Sequence, residues 1–386
     1  MVDFQFYNPC RIVFGKNNES KLPELIRNLG GSRVLMHYGG GSIKKNGVYD
    51  RVTSALKEGG ITFFELGGVQ PNPRLALVRK GIELVKEQNI DFILAVGGGS
   101  VIDSSKAIAV GVYQEDVWDC FVKGVYPTKA LPVGVVLTIP AAGSESSDAC
   151  VITNDDGQLK RGLSCECIYP RFALLNPEYT YSMPKNQIAN GVCDIMTHLF
   201  ERYFTNVEHV ELTDRLIESA LKTMMYYAPL AMKEPENYDV RAEILWTGTV
   251  AHNNLLQTGR IGDWASHNIE HELSGIYDIA HGAGLSIVFP AWMKYCANKN
   301  KPRFVQFARR VMDMDYTCGS EDIAIAMAIE KLENFNKSLG LPVRLSEVGI
   351  GEEHLREMAE KAVLGGPLGN FKLTADDVYS IYKLAL

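Results

Sequence analysis

Three observations predict an α/β fold on a mostly parallel sheet for residues 1–182, followed by an all-helical domain for residues 183–386. Between residues 10 and 180, short β-branched or apolar runs alternate with longer stretches of helical spacing, the pattern of strands joined by crossover helices. Glycine-rich turns close several of those runs. From about Pro184 the alternation stops and only helical spacing continues.

The elements follow in order. Arg33 to Tyr38 predicts a buried strand, stopped by Gly39-Gly40-Gly41-Ser42, with a helical pattern to about Glu58. Ile61 to Leu66 predicts a second strand, ended by Gly67-Gly68 and Pro71-Asn72-Pro73. Leu75, Val78, Ile82 and Val85 then share one face of a helix that reaches about Gln88. Asp91 to Val96 is a third strand, after which Gly97-Gly98-Gly99-Ser100 opens a helix, and Pro132 to Ile139 is a fourth. Beyond the boundary, Ile188–Thr205, Glu211–Tyr227, Val240–Gln257 and Glu321–Lys337 have helical spacing and little strand character.

Composition narrows the class. The chain has 386 residues, with 46% hydrophobic and 22% charged, which excludes intrinsic disorder. Lysine and arginine number 39 against 46 acidic residues, a net charge of −7, and no basic block stands out, so nucleic acid is not an expected partner. Apolar stretches such as Ile323 to Ile329 fall far short of the ~18 residues of a membrane helix. Nothing near Asp3 resembles an export signal, and the eight cysteines contain no Cys-x-x-Cys pair. A reduced, cytoplasmic setting is expected.

The glycine turns suggest a ligand. At the Gly97–Ser100 junction, bare glycines let an anion approach backbone amides, and the following helix N-terminus favours negative charge. Ser100 adds a hydroxyl donor, and Asp103 in the first helical turn suits the dipole and can brace the loop. A tight turn with a serine cap would explain the same residues. The fingerprints G-x-G-x-x-G and G-x-x-x-x-G-K-[ST] are absent. Two such turns after strands of one sheet nevertheless point to a nucleotide or dinucleotide. Gly143-Ser144-Glu145-Ser146-Ser147 fails G-x-S-x-G because position 147 is serine. It reads as a polar loop placed to touch that nucleotide.

The helical half carries a second pattern. Asp194 and His198 are four apart on a predicted helix, as are His267 and His271, with Glu270 beside them and His281 following. Imidazole with carboxylate suits a borderline divalent ion, Zn²⁺ or Fe²⁺. His271-Glu272 is not a zincin motif, since position 275 is glycine. Spacing leaves open whether His267 or His271 faces the ion. His37, His209, His252 and His354 lack such company and are expected to be structural or surface residues.

These residues resemble the iron-containing (metal-dependent, group III) alcohol dehydrogenases. Asp194-Ile195-Met196-Thr197-His198 is similar to the first metal segment of that family. His267 to Leu273, continuing through Tyr277 to Gly282, is similar to its signature, and Gly97–Ser100 with Asp103 and Lys106 to its pyrophosphate loop. The likeness runs from Arg11 onward and is greatest to the branch of NADPH-dependent butanol dehydrogenases and broad aldehyde reductases. The resemblance implies Asp194, His198, His267 and His281 as metal ligands, His271 beside the nicotinamide, and a catalytic cleft between the two halves. It also implies cofactor contacts from Thr138, Ser147 and Lys160.

Members that use NAD tend to carry an acid at the end of the strand occupied here by Arg33 to Tyr38, where it accepts from the ribose 2′-OH and repels a 2′-phosphate. Here Gly39, Gly40, Gly41 and Ser42 follow instead, with Lys44 and Lys45 just beyond, so NADP(H) is expected. The activity implied is interconversion of aldehydes and primary alcohols by hydride transfer. The divalent ion would act as Lewis acid and His271 as proton relay. A polyol dehydrogenase or a metal-dependent cyclising lyase on the same scaffold, or a metal- and nucleotide-binding protein without turnover, would satisfy the same residues. A homodimer is the common prior for assembly.

Overall fold

The computed structural model describes residues 1–315 and 319–386. The strands are β1 Arg11–Phe14, β2 Arg33–Tyr38, β3 Thr62–Leu66, β4 Phe92–Gly98, β5 Val133–Ile139, β6 Ala149–Asn154, β7 Leu159–Ser164 and β8 Phe172–Leu175. Helices α1 Leu22–Arg27, α2 Ser42–Lys45, α3 Val48–Glu58, α4 Leu75–Glu87, α5 Gly99–Gly111 and α6 Asp119–Val122 are interleaved with them. Then come α7 Lys185–Tyr203, α8 Glu211–Lys233, α9 Tyr238–His252, α10 Ala265–Tyr277 and α11 His281–Cys296. The last are α12 Lys301–Arg310, α13 Glu321–Ser338, α14 Leu355–Ala362 and α15 Ala375–Ala385.

The chain forms two compact units: Tyr7–Met183 with Pro235–Asn253, and Met1–Phe6 with Pro184–Glu234 and Asn254–Leu386. A single cut near residue 182 therefore misplaces α9, which packs within the α/β unit. Asn237 caps its N-terminus, the Thr249 hydroxyl donates to Glu145 Oε1 at 2.6 Å, and His252 Nδ1 lies 2.6 Å from Ala142 O. Helical spacing identifies a helix without saying which body it joins.

In the α/β unit, six parallel strands run in the order β1-β8-β5-β4-β2-β3, and β6 and β7 form a separate antiparallel hairpin. Alternate residues serve opposite faces. Val34, Met36, Phe92, Leu94 and Val136 pack with Val48, Val52 and Leu56 of α3 on one side. Leu35, Ile93, Ala95, Val135 and Leu137 pack with residues of α4 and α5 on the other. Both faces are covered, so these strands read as continuous apolar runs. The helix expected to follow Ser42 is broken into α2 and α3 at Gly47, whose φ of 78° ends the first piece.

The strand order reverses direction at β2, which pairs with both β3 and β4. In parallel α/β sheets ligands bind outside the carboxyl ends of strands at such a switch point. Gly39–Ser42 follows β2 and Gly97–Ser100 ends β4, so both turns lie at that edge. The third expected strand runs two residues further than predicted, to Gly98, and α5 starts at Gly99. A Cβ at Gly97 would lie 2.5 Å from Val101 Cγ2, so only glycine lets the helix turn back this tightly.

His37, beneath the sheet edge, is buried with Nδ1 2.7 Å from Leu66 O and Nε2 2.9 Å from Ser104 Oγ. Burial, only partly offset by the bond to Leu66, pushes its pKa down from 6.5 to about 4. The unfolded chain binds this proton first as pH falls, so stability is lost from pH 6.5 down to about 4. The loss attributable to His37 is up to about 3 kcal/mol. Urea melts across this window should show a shallower pH slope for His37→Gln than for wild type. Equal slopes would remove His37 as the cause.

In the helical unit, α7 packs against α8 and α11, and α11 against α10 and α15. Phe200, Phe204, Phe289, Trp292, Phe304 and Phe307 form its aromatic centre, with Phe200 and Phe289 stacked at 4.6 Å. This rigid packing holds α7 and α11 in register at the site below. Among the described residues, no helix is long and apolar enough to cross a membrane.

Candidate active site

Asp194 and His198 lie on the buried face of α7, His267 on α10, and His281 opens α11. Their side chains converge on one oxygen. Asp194 Oδ1 is 3.2 Å from His198 Nε2, 3.8 Å from His267 Nε2 and 3.7 Å from His281 Nε2. One ligand atom each from Asp194, His267 and His281 lie within 4.8 Å of one another. This approach depends on glycine: a Cβ at Gly282 would sit 2.1 Å from Asn190 O of α7. Gly284 likewise leaves room for Glu270, whose Cγ would be 2.7 Å from a Cβ there.

Two carboxylates hold the far sides of these rings. Glu201 Oε1 is 2.9 Å from His267 Nδ1, and Glu201 also accepts the backbone amides of Trp264 and His267, capping α10. Glu270 accepts from His281 Nδ1 and from the Ser274 hydroxyl. Each acid fixes the proton on Nδ1 and turns the lone pair of Nε2 inward, the usual support of a metal-binding imidazole. Sequence reasoning gave neither acid this role, although each stands three residues after a site histidine on the same helix.

The electrostatics favour a cation. Burial opposes charge on His267, but the neighbouring carboxylates of Asp194 and Glu201 more than offset it and push its pKa up to about 9. Burial would raise Asp194, yet the imidazoles of His198 and His281 hold it well below the usual carboxylate range. Burial, and the neighbouring His267, push His198 down to about 3. Asp194 Oδ1 and His267 Nε2 are buried without a hydrogen-bond partner. Such atoms cost on the order of 1–3 kcal/mol each, a cost that a divalent ion would relieve. Three nitrogens and one oxygen suit Fe²⁺ or Zn²⁺.

His271 is partly buried, its ring 5.8 Å from that of His281. It groups with Glu270 and His281 rather than with Asp194. The tertiary structure thus separates His267 from His271, which spacing could not do.

In the α/β unit, Gly40, Gly41 and Ser42 are exposed, and a Cβ at Gly40 or Gly41 would meet nothing within 4 Å. Lys44 holds its ammonium 5.4 Å above the Tyr38 ring and 4.8 Å above that of Tyr49. Both tyrosine hydroxyls donate to Glu65 of β3 at 2.9 Å. Glu65 is an acid near this turn that inspection of one strand end missed, because the neighbouring strand contributes it.

The second turn is tighter: Gly97 and Gly98 are buried, and Gly99 and Ser100 are half-buried. No side chain caps the N-terminus of α5; Gly98 is the cap residue, not Ser100. Asp103 accepts from Ser144 Oγ at 2.6 Å and from Val151 N at 3.0 Å, tying α5 to the 143–147 loop and to β6. Lys106 is buried, and its ammonium donates to Ser144 Oγ at 3.0 Å and to the carbonyls of Ser147 and Ala149 at 2.8 Å. Ser147 is buried with Oγ 3.4 Å from that ammonium. Thr138 sits where the β4–β5 register shifts, Gly97 pairing with Leu137 and Gly98 with Ile139. Lys160 is buried on the hairpin, paired in register with Thr153.

The profile of iron-containing alcohol dehydrogenases matches residues 9–177, and that of the C-terminal part of the same family matches residues 188–386. The chain belongs to the iron-containing alcohol dehydrogenase family. It is an oxidoreductase of alcohols and aldehydes, and family membership implies a nucleotide cofactor and a divalent ion, iron. The chain is 46% identical to a probable NADH-dependent butanol dehydrogenase 1 of Bacillus subtilis, over 100% of both chains. It is 40% identical to the NADPH-dependent aldehyde reductase YqhD of Escherichia coli, again over 100% of both. Among solved structures, NADH-dependent butanol dehydrogenase A of Thermotoga maritima superposes with a TM-score of 0.96 at 41% identity, covering 99% of this chain and 98% of that one.

Proposed function

We propose that this chain interconverts butanol-sized primary alcohols and their aldehydes with NADP(H) and one divalent ion, Fe²⁺ or Zn²⁺. The observation that carries it is the convergence of His198, His267 and His281 on Asp194 Oδ1, with two of the facing atoms otherwise unsatisfied. In this reading those four residues hold the ion, and residues 183–386 form the catalytic domain apart from α9. A bound ion supplies Lewis-acid polarisation of the substrate oxygen. The nicotinamide, when bound, supplies or accepts the hydride.

The remaining work belongs to the chain. His271 gives a proton to the oxygen during reduction and takes it during oxidation. Glu201 and Glu270 keep His267 and His281 in one tautomer. Gly97, Gly98, Gly99 and Ser100, with the uncapped amides of α5, cradle the pyrophosphate, and Asp103 ties α5 to the neighbouring 143–147 loop. Thr138, Ser147 and Lys160 complete the cofactor contacts.

NADP(H) rests on the first turn. Gly39 to Ser42 present no carboxylate, Lys44 stands beside them, and Glu65 is engaged by two tyrosine hydroxyls. Initial rates with butanal should show a higher kcat/KM for NADPH than for NADH. In Gly39→Asp the new carboxylate opposes a 2′-phosphate, weakening NADPH about ten- to hundredfold and leaving NADH unharmed. Gly39 is not in the left-handed region, and a Cβ there would lie 3.2 Å from Val69 O, so a shift of a few tenths of an ångström accommodates it. A wild-type preference for NADH overturns the NADP(H) assignment.

A further inference from the structure

The α/β unit holds a thiol pair that the alcohol–aldehyde chemistry does not use. Cys165 follows β7 with an extended backbone, φ −159° and ψ 148°, and its amide is anchored to Asp148 O at 2.9 Å. A single 3₁₀ turn over Glu166–Ile168 then folds Cys167 back, leaving the two sulfurs 3.5 Å apart. Disulfide formation requires closing that gap to ~2.05 Å, a small movement for side chains two residues apart.

The two thiols differ in a useful way. Cys165 is 2% exposed, whereas Cys167 is partly exposed. The hydrogen bond from Cys165 and the charge of Arg171 favour the thiolate of Cys167, against burial, and its pKa is lowered. Cys165 is shifted the other way, first by that same bond and then by burial. An accessible, thiolate-prone cysteine beside a protected partner is the arrangement of an attacking and a resolving thiol.

We propose that Cys165 and Cys167 form a reversible dithiol–disulfide site that reacts with hydroperoxides. The Cys167 thiolate attacks the terminal peroxide oxygen; the S–O bond forms, the O–O bond breaks, and the departing hydroxide (or alkoxide, from an alkyl hydroperoxide) is protonated to water (or an alcohol). The Cys165 sulfur then attacks the sulfenic sulfur; the S–S bond forms, the S–O bond breaks, and the second oxygen leaves as water with the Cys165 proton. Two electrons pass from the sulfur pair to the peroxide, and an external dithiol returns them.

Arg161 and Arg171 flank the pair, so trypsin releases Gly162–Arg171 with both of these cysteines and no others. The zinc-loaded enzyme, chosen so that no iron decomposes the oxidant, is treated with hydrogen peroxide, alkylated and digested. The peptide should lose two hydrogens and take up no alkyl group, and dithiothreitol should restore two alkylatable thiols. In Cys165→Ser, Cys167 should stop as a sulfenic acid trapped by dimedone. In Cys167→Ser, oxidation of Cys165 should slow by at least ~tenfold, since its thiol is protected. The proposal is overturned if the peptide stays reduced while other cysteines oxidise. Pairing of Cys165 with Cys120 or Cys150, neighbours in the same apolar core, or undiminished Cys165 oxidation in Cys167→Ser, overturns it equally.

Discussion

Replacing Asp194 by alanine is expected to remove both the bound ion and turnover. Its Oδ1 is the atom on which three imidazole nitrogens converge, and it is buried with no hydrogen-bond partner of its own. Without the carboxylate, Glu201 alone offsets charge on His267, and the pocket loses its preference for a cation. An ion polarising a substrate oxygen stabilises the transition state by several kcal/mol. At tenfold per ~1.4 kcal/mol, turnover should fall by at least ~10³-fold. His281→Ala should behave the same way, since its Nε2 faces the same oxygen at 3.7 Å. Elemental analysis of the purified variants, beside their rates with butanal, decides the matter. Either variant retaining a full complement of ion together with turnover would refute the ligand set.

Removal of the His271 imidazole is expected to give a different phenotype, an enzyme that keeps its ion and loses catalysis. His271 lies beside His281 at a ring separation of 5.8 Å but outside the group formed by Asp194, His267 and His281. Loss of a general acid–base group costs ~10²–10⁴-fold. His271→Ala should therefore show full metal content, a kcat reduced within that range, and loss of one limb of the pH–rate profile. A variant that arrives without its ion would make His271 a ligand and displace His267 from that role.

Much of the fold was legible in the sequence, and the reason is local. Arg33–Tyr38 is a strand over the residues predicted, because a parallel strand covered on both faces reads as a mostly apolar run. The helices near Glu211 and Glu321 begin where their spacing begins. Four strands were not predicted. β1 and β8 are only four residues long, too short for a period to show, and β6 and β7 mix polar with apolar residues. Gly97 and Gly98 read as a turn yet belong to β4, because glycine there answers to the close approach of Val101 and Ile139 and not to chain reversal.

The candidate site divides along the same line. A helix repeats every 3.6 residues, so Asp194 with His198, and His267 with His271, were bound to share faces whatever the rest of the chain did. Glycine after a strand likewise announces an anion-accessible turn by its missing side chain alone. Which of two histidines four residues apart turns toward Asp194 is another matter. That depends on how α10 is rotated against α7, which Glu201 settles by gripping both the amide and the ring of His267. Likewise Glu65 reaches the edge of β2 only because β3 lies beside it, and α9 leaves the helical unit for contacts with Ala142 and Glu145. Residue type and period determined the elements and the candidate chemistry. The assignment of partners was left to the tertiary structure, because hydrogen bonds and close contacts between chain segments distant in sequence leave no periodic trace in either one.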